Sequence, residues 1–63
     1  MLTFIGLESD VKKLINWQTE NIGVDWETDN HGDGKWSVTF LEIETDVEAD
    51  WLIETANRFG VGQ

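Results

Sequence analysis

Two short segments in which apolar and polar residues alternate flank a glycine-containing turn, and this pattern most constrains the fold. Val24, Trp26 and Thr28 lie on one side of an extended chain, and residues 36–40 repeat the pattern. Residues 30–34 between them contain two glycines, which can adopt positive φ at a tight turn. The sequence therefore predicts an antiparallel β-hairpin with one buried face, on which the tryptophans lie.

The predicted hairpin has an acidic open face. We place Trp26 opposite Val38, which puts Glu27 opposite Ser37. The side of the sheet that faces solvent then carries the intervening residues of the first strand, and most of these are acidic.

The alternation slips at the end of the second hairpin strand. If Phe40 stays inside, Glu42 and Glu44 also point inside, whereas Leu41 and Ile43 point outside. A β-bulge near Phe40 or Leu41 would return the two apolar side chains to the core. Without a bulge they lie on the open face beside the carboxylates and form an exposed binding patch. The sequence leaves both arrangements open.

Helical spacing of apolar residues predicts one helix before the hairpin and one after it. The apolar face of the first helix consists of Val11, Leu14, Ile15, Gln18 and Ile22. Ser9 or Asp10 can cap its start, and Gly23 suits the position after its end. The second helix begins with a capping-box pattern over residues 45–48. Its apolar stripe consists of Ala49, Leu52, Ile53, Ala56 and Phe59.

The order of the elements predicts an α+β fold. Residues 2–7 form an apolar and β-branched run that indicates an opening strand, so the order is β-α-β-β-α. We expect a three-stranded, mainly antiparallel sheet with both helices on one face. This topology resembles a truncated ferredoxin-like unit, in which the first strand pairs with the third and the second lies at the edge. Residues 61–63 are then a remnant of a fourth strand, and residues 1–63 form a single compact acidic domain.

Acidic residues are concentrated in the later part of the chain. Ten of the thirteen follow Gly23, where Lys35 and Arg58 are the only opposing cations, so this part carries −8 of the net charge of −9. Such a charge disfavours direct contact with nucleic-acid phosphates or anionic lipid, and it favours a basic protein surface as partner. The chain has no cysteine, no basic leader and no long apolar run, so we expect a cytoplasmic protein that does not enter a membrane.

The turn around His31 is the one place where the sequence hints at chemistry. A histidine among carboxylates can transfer protons, and residues 29–34 partly match the start of a calcium-binding loop. The twelfth loop position, however, is Phe40, where such loops need a bidentate glutamate. Because tight-turn chemistry explains these residue types and no nucleophile is spaced for catalysis, we expect neither an enzyme, nor a metal site, nor a cofactor.

The acidic series therefore predicts a non-catalytic protein-binding domain. In size and charge the chain resembles the small acidic inhibitors that phages use against restriction or CRISPR enzymes, and the immunity proteins that neutralise nuclease toxins, although it shares no motif with them. The resemblance implies inhibition or regulation of a basic nucleic-acid-binding protein, such as a nuclease, by imitation of phosphates. The predicted partner-binding residues are Asp25, Glu27, Asp29, Glu42, Glu44, Asp46, Glu48, Asp50, Glu54, Trp17 and Trp51.

A second reading of the same surface remains open. The open sheet face or the edge strand can pair with another copy, which would make the chain a small assembly subunit or a homodimer. In that case the acidic residues serve solubility, as they do in a halophilic protein.

Overall fold

The computed structural model describes every residue from Met1 to Gln63. Its elements are β1 (Leu2–Leu7), α1 (Glu8–Asn21), β2 (Trp26–Gly32), β3 (Lys35–Phe40) and α2 (Asp46–Arg58). β3 lies in the centre of the sheet and is antiparallel to both β1 and β2. The predicted α+β class and element order are confirmed, and β2 lies at an edge of the sheet as expected.

Both helices cover the same face of the sheet. Nine buried apolar side chains form the core: Phe4, Val11, Leu14, Ile15, Val38, Phe40, Leu52, Ala56 and Val61. The rings of Phe4 and Phe40 meet edge to face, with centroids 6.0 Å apart. The other side of the sheet has no helix over it, and we call it the open face. It carries Thr3, Ile5 and Leu7 of β1, Lys35, Ser37 and Thr39 of β3, and Glu27 and Asp29 of β2.

The start of α1 differs from the prediction. The helix begins at Glu8, directly after β1, and Leu7 is the N-cap without a side-chain hydrogen bond. The predicted cap at Ser9 or Asp10 is therefore wrong, because the sheet fixes the first turn: the Glu8 N–H donates to the Gly34 carbonyl at 3.2 Å. The predicted end is confirmed, since Gly23 has a φ of 84° and follows the last turn.

The hairpin turn is shorter than predicted. Its two turn residues are Asp33 and Gly34, with φ of 54° and 78°, which is the combination of a type I′ turn. This turn and the one-residue irregularity of β2 at His31 together pair Trp26 with Phe40, so the predicted pairing with Val38 is wrong by two residues. A shift of two residues keeps every side chain on its predicted face. The register also slips at His31, where β2 has its irregularity.

The chain leaves the sheet after Phe40. Residues 41–45 have no regular structure, so the segment neither forms a β-bulge nor continues β3 along the open face. The Leu41 N–H still donates to the Asp25 carbonyl at 2.9 Å, and the Leu41 side chain is exposed. Ile43 packs against the core instead.

The beginning of α2 follows the predicted capping pattern. The Thr45 hydroxyl oxygen accepts from the Glu48 N–H at 3.1 Å, and the hydroxyl group donates to the Glu48 carboxylate at 3.2 Å. Leu52 and Ala56 of the predicted stripe are fully buried. After α2, the chain forms a single antiparallel bridge between Gly62 and Ile5, so the expected fourth strand is reduced to that bridge.

Candidate acidic binding surface

Almost none of the acidic side chains is neutralised within the chain. The structure has one ion pair, in which Lys12 Nζ lies 2.8 Å from Glu8 Oε1, and both side chains are largely exposed. The other twelve of the thirteen carboxylates have no cationic group within 4 Å. The acidic surface is therefore free to interact with cations outside the chain.

Four of the predicted site residues line one pocket of about 260 Å³: Asp25, Glu42, Glu44 and Glu48. The pocket lies where the end of α1, the approach to β2, the loop after β3 and the first turn of α2 come together. Ile22, Gly23 and Val24 complete its lining. We call this feature the acidic pocket.

Hydrogen bonds of the neighbouring backbone fix the walls of the acidic pocket. The side chain of Gln18, which is fully buried on α1, accepts from the Val24 N–H at 2.6 Å and holds the chain that leads to Asp25. The Thr45 cap described above fixes the first turn of α2 and with it Glu48. These hydrogen bonds lie within the chain, so the walls of the pocket are formed without a partner.

The carboxylates of the pocket are spread around it. No group of three or more histidine or acidic side chains anywhere in the chain is arranged to hold a metal ion. Separate carboxylates can instead accept hydrogen bonds from several lysine ammonium groups, or from an arginine guanidinium, whose five N–H donors are spread over a planar fork.

The other predicted acidic residues lie outside this pocket. Glu27 and Asp29 are exposed on the open face, opposite Thr39 and Ser37 respectively. Asp46, Asp50 and Glu54 are exposed along α2. The nine predicted acidic residues therefore form three separate groups rather than one continuous site.

The turn histidine makes a structural contact. His31 Nε2 lies 2.8 Å from the Ser37 hydroxyl oxygen across the hairpin, and Asn30 accepts from the Gly32 N–H at 2.9 Å. Both hydrogen bonds close the irregular end of β2. These contacts are those of a hairpin end.

Trp17 and Trp51 contact each other. Their rings are nearly perpendicular, at 86°, with centroids 4.9 Å apart, so they join α1 to α2. Trp51 is still 44% exposed. Both residues belong to the predicted partner-binding set, but the sequence does not predict that they contact each other. Their position at the edges of the two apolar stripes was the signal that a helix-to-helix contact could have been expected.

The prediction that Trp26 is buried in the core is wrong. It is 43% exposed, because β2 is an edge strand and α1 packs mainly on β1 and β3. Together with Trp36 it borders a groove of about 270 Å³, whose other lining residues are Lys12, Ile15, Asn16 and Thr28. We call this the Trp26 groove. The ammonium of Lys12 lies 5.6 Å from the centre of the Trp36 ring, within range of a cation–π interaction.

No protein-family model, no curated protein sequence and no solved structure matches this chain. Its two helices are also too short or too polar to cross a membrane.

Proposed function

We propose that the protein is a non-catalytic binding domain that attaches to a basic surface of a nucleic-acid-binding protein in the cytoplasm and inhibits or regulates it. The observation that supports this proposal is the set of twelve carboxylates without a cationic partner in the chain. Unpaired surface charge of one sign attracts an oppositely charged partner over long distances and accelerates the encounter.

The acidic pocket supplies the specific contact in this proposal. Lysine and arginine side chains that normally bind phosphate oxygens would enter it and form charge-assisted hydrogen bonds with Asp25, Glu42, Glu44 or Glu48. Its volume of about 260 Å³ lies just below the range of roughly 300–1,000 Å³ usual for small-molecule sites. The proposal assigns this pocket to single basic side chains of a protein partner, because four carboxylates line it.

Exposed apolar side chains supply the desolvated part of the interface. Leu41 is exposed next to Glu42, and the outer part of Trp51 lies on the acidic helix α2. Interfaces depend on a few such anchors, whereas charged rims contribute mainly to the rate of association.

The topology supports a proposal about the fold that carries no functional information. We propose that the chain is a ferredoxin-like unit whose fourth strand is reduced to the bridge between Ile5 and Gly62. Because this topology occurs in proteins of many unrelated functions, it neither supports nor weakens the binding proposal.

Capture from a lysate of the native host tests the binding proposal. The immobilised protein is compared with two variants that each remove four negative charges. The pocket variant is D25N/E42Q/E44Q/E48Q, and the control variant, which changes the four acids outside the predicted partner-binding residues, is E8Q/D10N/E20Q/D33N. Bound proteins are eluted with steps of KCl or with duplex DNA and are identified by mass spectrometry.

The proposal predicts that the wild type captures a basic nucleic-acid-binding protein that both KCl and duplex DNA release. Loss of one member of a desolvated charge pair costs about 2 kcal/mol or more of binding free energy. The affinity of the pocket variant for this protein should therefore fall by at least about tenfold. The control variant should lose much less affinity for this protein. Capture that resists salt and DNA would contradict charge mimicry, and equal losses in the two variants would exclude the acidic pocket as the contact site.

The open face favours a second candidate function, that of a small assembly subunit. Ile5 and Leu7 are 47% and 55% exposed on this face, where no helix covers them. An interface between copies would bury both side chains and leave the acidic residues at its rim. Sedimentation equilibrium over a wide range of protein concentration tests this candidate. A monomer at every concentration would rule out the homodimer.

A further inference from the structure

β2 has an unpaired edge on which another strand can be added. The strand runs from Trp26 to Gly32, and its only neighbour in the sheet is β3. Six of its seven residues are exposed, and only Thr28 is partly buried. A strand with one free edge presents backbone N–H and C=O groups that an extended segment of another chain can pair with.

The register identifies which backbone groups are free. The Leu41 N–H donates to the Asp25 carbonyl, and Trp26 lies opposite Phe40. In an antiparallel ladder the residues alternate between bonding to the neighbour and pointing away from it. The backbone groups of Glu27 therefore point toward β3, whereas those of Trp26 and Thr28 point toward the free edge.

The two faces of this edge differ in chemistry. On the helix side, Trp26 and Thr28 border the Trp26 groove, which is mainly apolar where Ile15 and Trp36 line it. On the open face, Glu27 and Asp29 are exposed and have no ion-pair partner. A strand added here would place alternate side chains in these two environments, because successive residues of a strand point to opposite sides.

The charge on β2 selects against a second copy of this chain. In the register centred on Thr28, antiparallel pairing of β2 with itself would place Glu27 of each copy opposite Asp29 of the other. Like charges that lie directly opposite each other destabilise a pair of strands, and two copies each carry a net charge of −9. The same two carboxylates are complementary to lysine or arginine.

We infer that the β2 edge binds an extended segment of a partner protein in which basic residues alternate with apolar residues. The basic side chains lie beside Glu27 and Asp29, and the apolar side chains lie against Trp26 and the groove next to it. This inference adds a binding mode to the proposed function and rests on it only for the basic character of the partner. It involves none of the four carboxylates of the acidic pocket.

Binding of two synthetic peptides of identical composition tests the inference. One is a seven-residue peptide that alternates lysine and valine, and the other contains the same residues with all valines adjacent. Affinity is measured by NMR titration, and the exchange of each backbone amide with solvent is measured with and without peptide. We expect the alternating peptide to bind and to protect the amides of Trp26 and Thr28 from exchange. The scrambled peptide should bind at least about tenfold more weakly.

Two variants distinguish strand addition from general attraction to charge. Thr28→Pro removes an outward N–H that β3 does not use, and proline is tolerated on such edges, so the variant should fold and lose the alternating peptide. The charge-reversed variant E27K/D29K should instead prefer a peptide that alternates glutamate and valine. This reversal tests the inference even if Thr28→Pro does not fold.

Equal binding of the two lysine peptides would overturn the inference, as would protection at amides other than those of β2. A dimer in which β2 amides are protected without any peptide would show that a second copy is the occupant and would also overturn it. The pocket variant D25N/E42Q/E44Q/E48Q should keep the alternating peptide. Failure of the peptide test together with lysate capture that depends on the acidic pocket would therefore reject this inference alone.

Discussion

The contact between Trp17 and Trp51 should contribute a measurable coupling energy. Aromatic pairs with this geometry are worth about 0.5–1.5 kcal/mol beyond the area that they bury. The centroid distance of 4.9 Å lies near the short end of the favourable range, and Trp51 is still 44% exposed, so we expect about 1 kcal/mol. A domain of this length has a free energy of unfolding of roughly 3–9 kcal/mol, so the pair is a substantial part of it.

A double-mutant cycle measures this coupling. The wild type, W17L, W51L and W17L/W51L are unfolded with urea and followed by circular dichroism of the helices. Leucine keeps apolar volume at each position, and a constant concentration of sodium sulfate keeps all four proteins folded at the start of the titration. The coupling energy is the change in the free energy of unfolding of the double variant minus the sum of the changes in the two single variants.

A coupling energy below about 0.3 kcal/mol, the limit for independent sites, would refute the reasoning. Trp51 would then be free to contact a partner. A cycle between Trp51 and Trp26 is the matched control, because no aromatic contact joins these residues and their effects should add.

Three further predictions concern single substitutions. Thr45→Ala should lower the free energy of unfolding by about 1 kcal/mol because it removes the α2 cap, while Thr45→Ser should not; equal urea midpoints for both variants would contradict the capping role. Gly34→Ala should cost about 1–2 kcal/mol in a urea titration, since alanine is strained at a φ of 78°, and a smaller loss with asparagine is the expected control result. Glu44→Gln should raise the melting temperature at low ionic strength because it relieves repulsion, and this gain should shrink as KCl is added; a gain independent of salt would argue against repulsion.

Local patterns in the sequence determined the elements and their order. Apolar periods of two and of 3.6 residues indicated the hairpin and both helices, and the capping pattern at Thr45 located the start of α2. Gly23 marked the end of α1, because the chain often adopts positive φ just after a helix and glycine is the residue that does so without strain. The predicted faces of β2 and β3 held although the register was wrong, because a shift of two residues preserves them.

The tertiary structure alone decided which distant residues meet. The acidic pocket joins Asp25 to Glu48, which come from opposite sides of the hairpin in the sequence, and the Trp17–Trp51 contact depends on how α1 lies against α2. Trp26 has the alternation of a core residue, yet it is exposed because the helices cover the centre of the sheet and leave its edge free. Periodicity specifies the face on which a side chain lies, whereas the coverage of that face depends on the packing of segments that are remote in the chain.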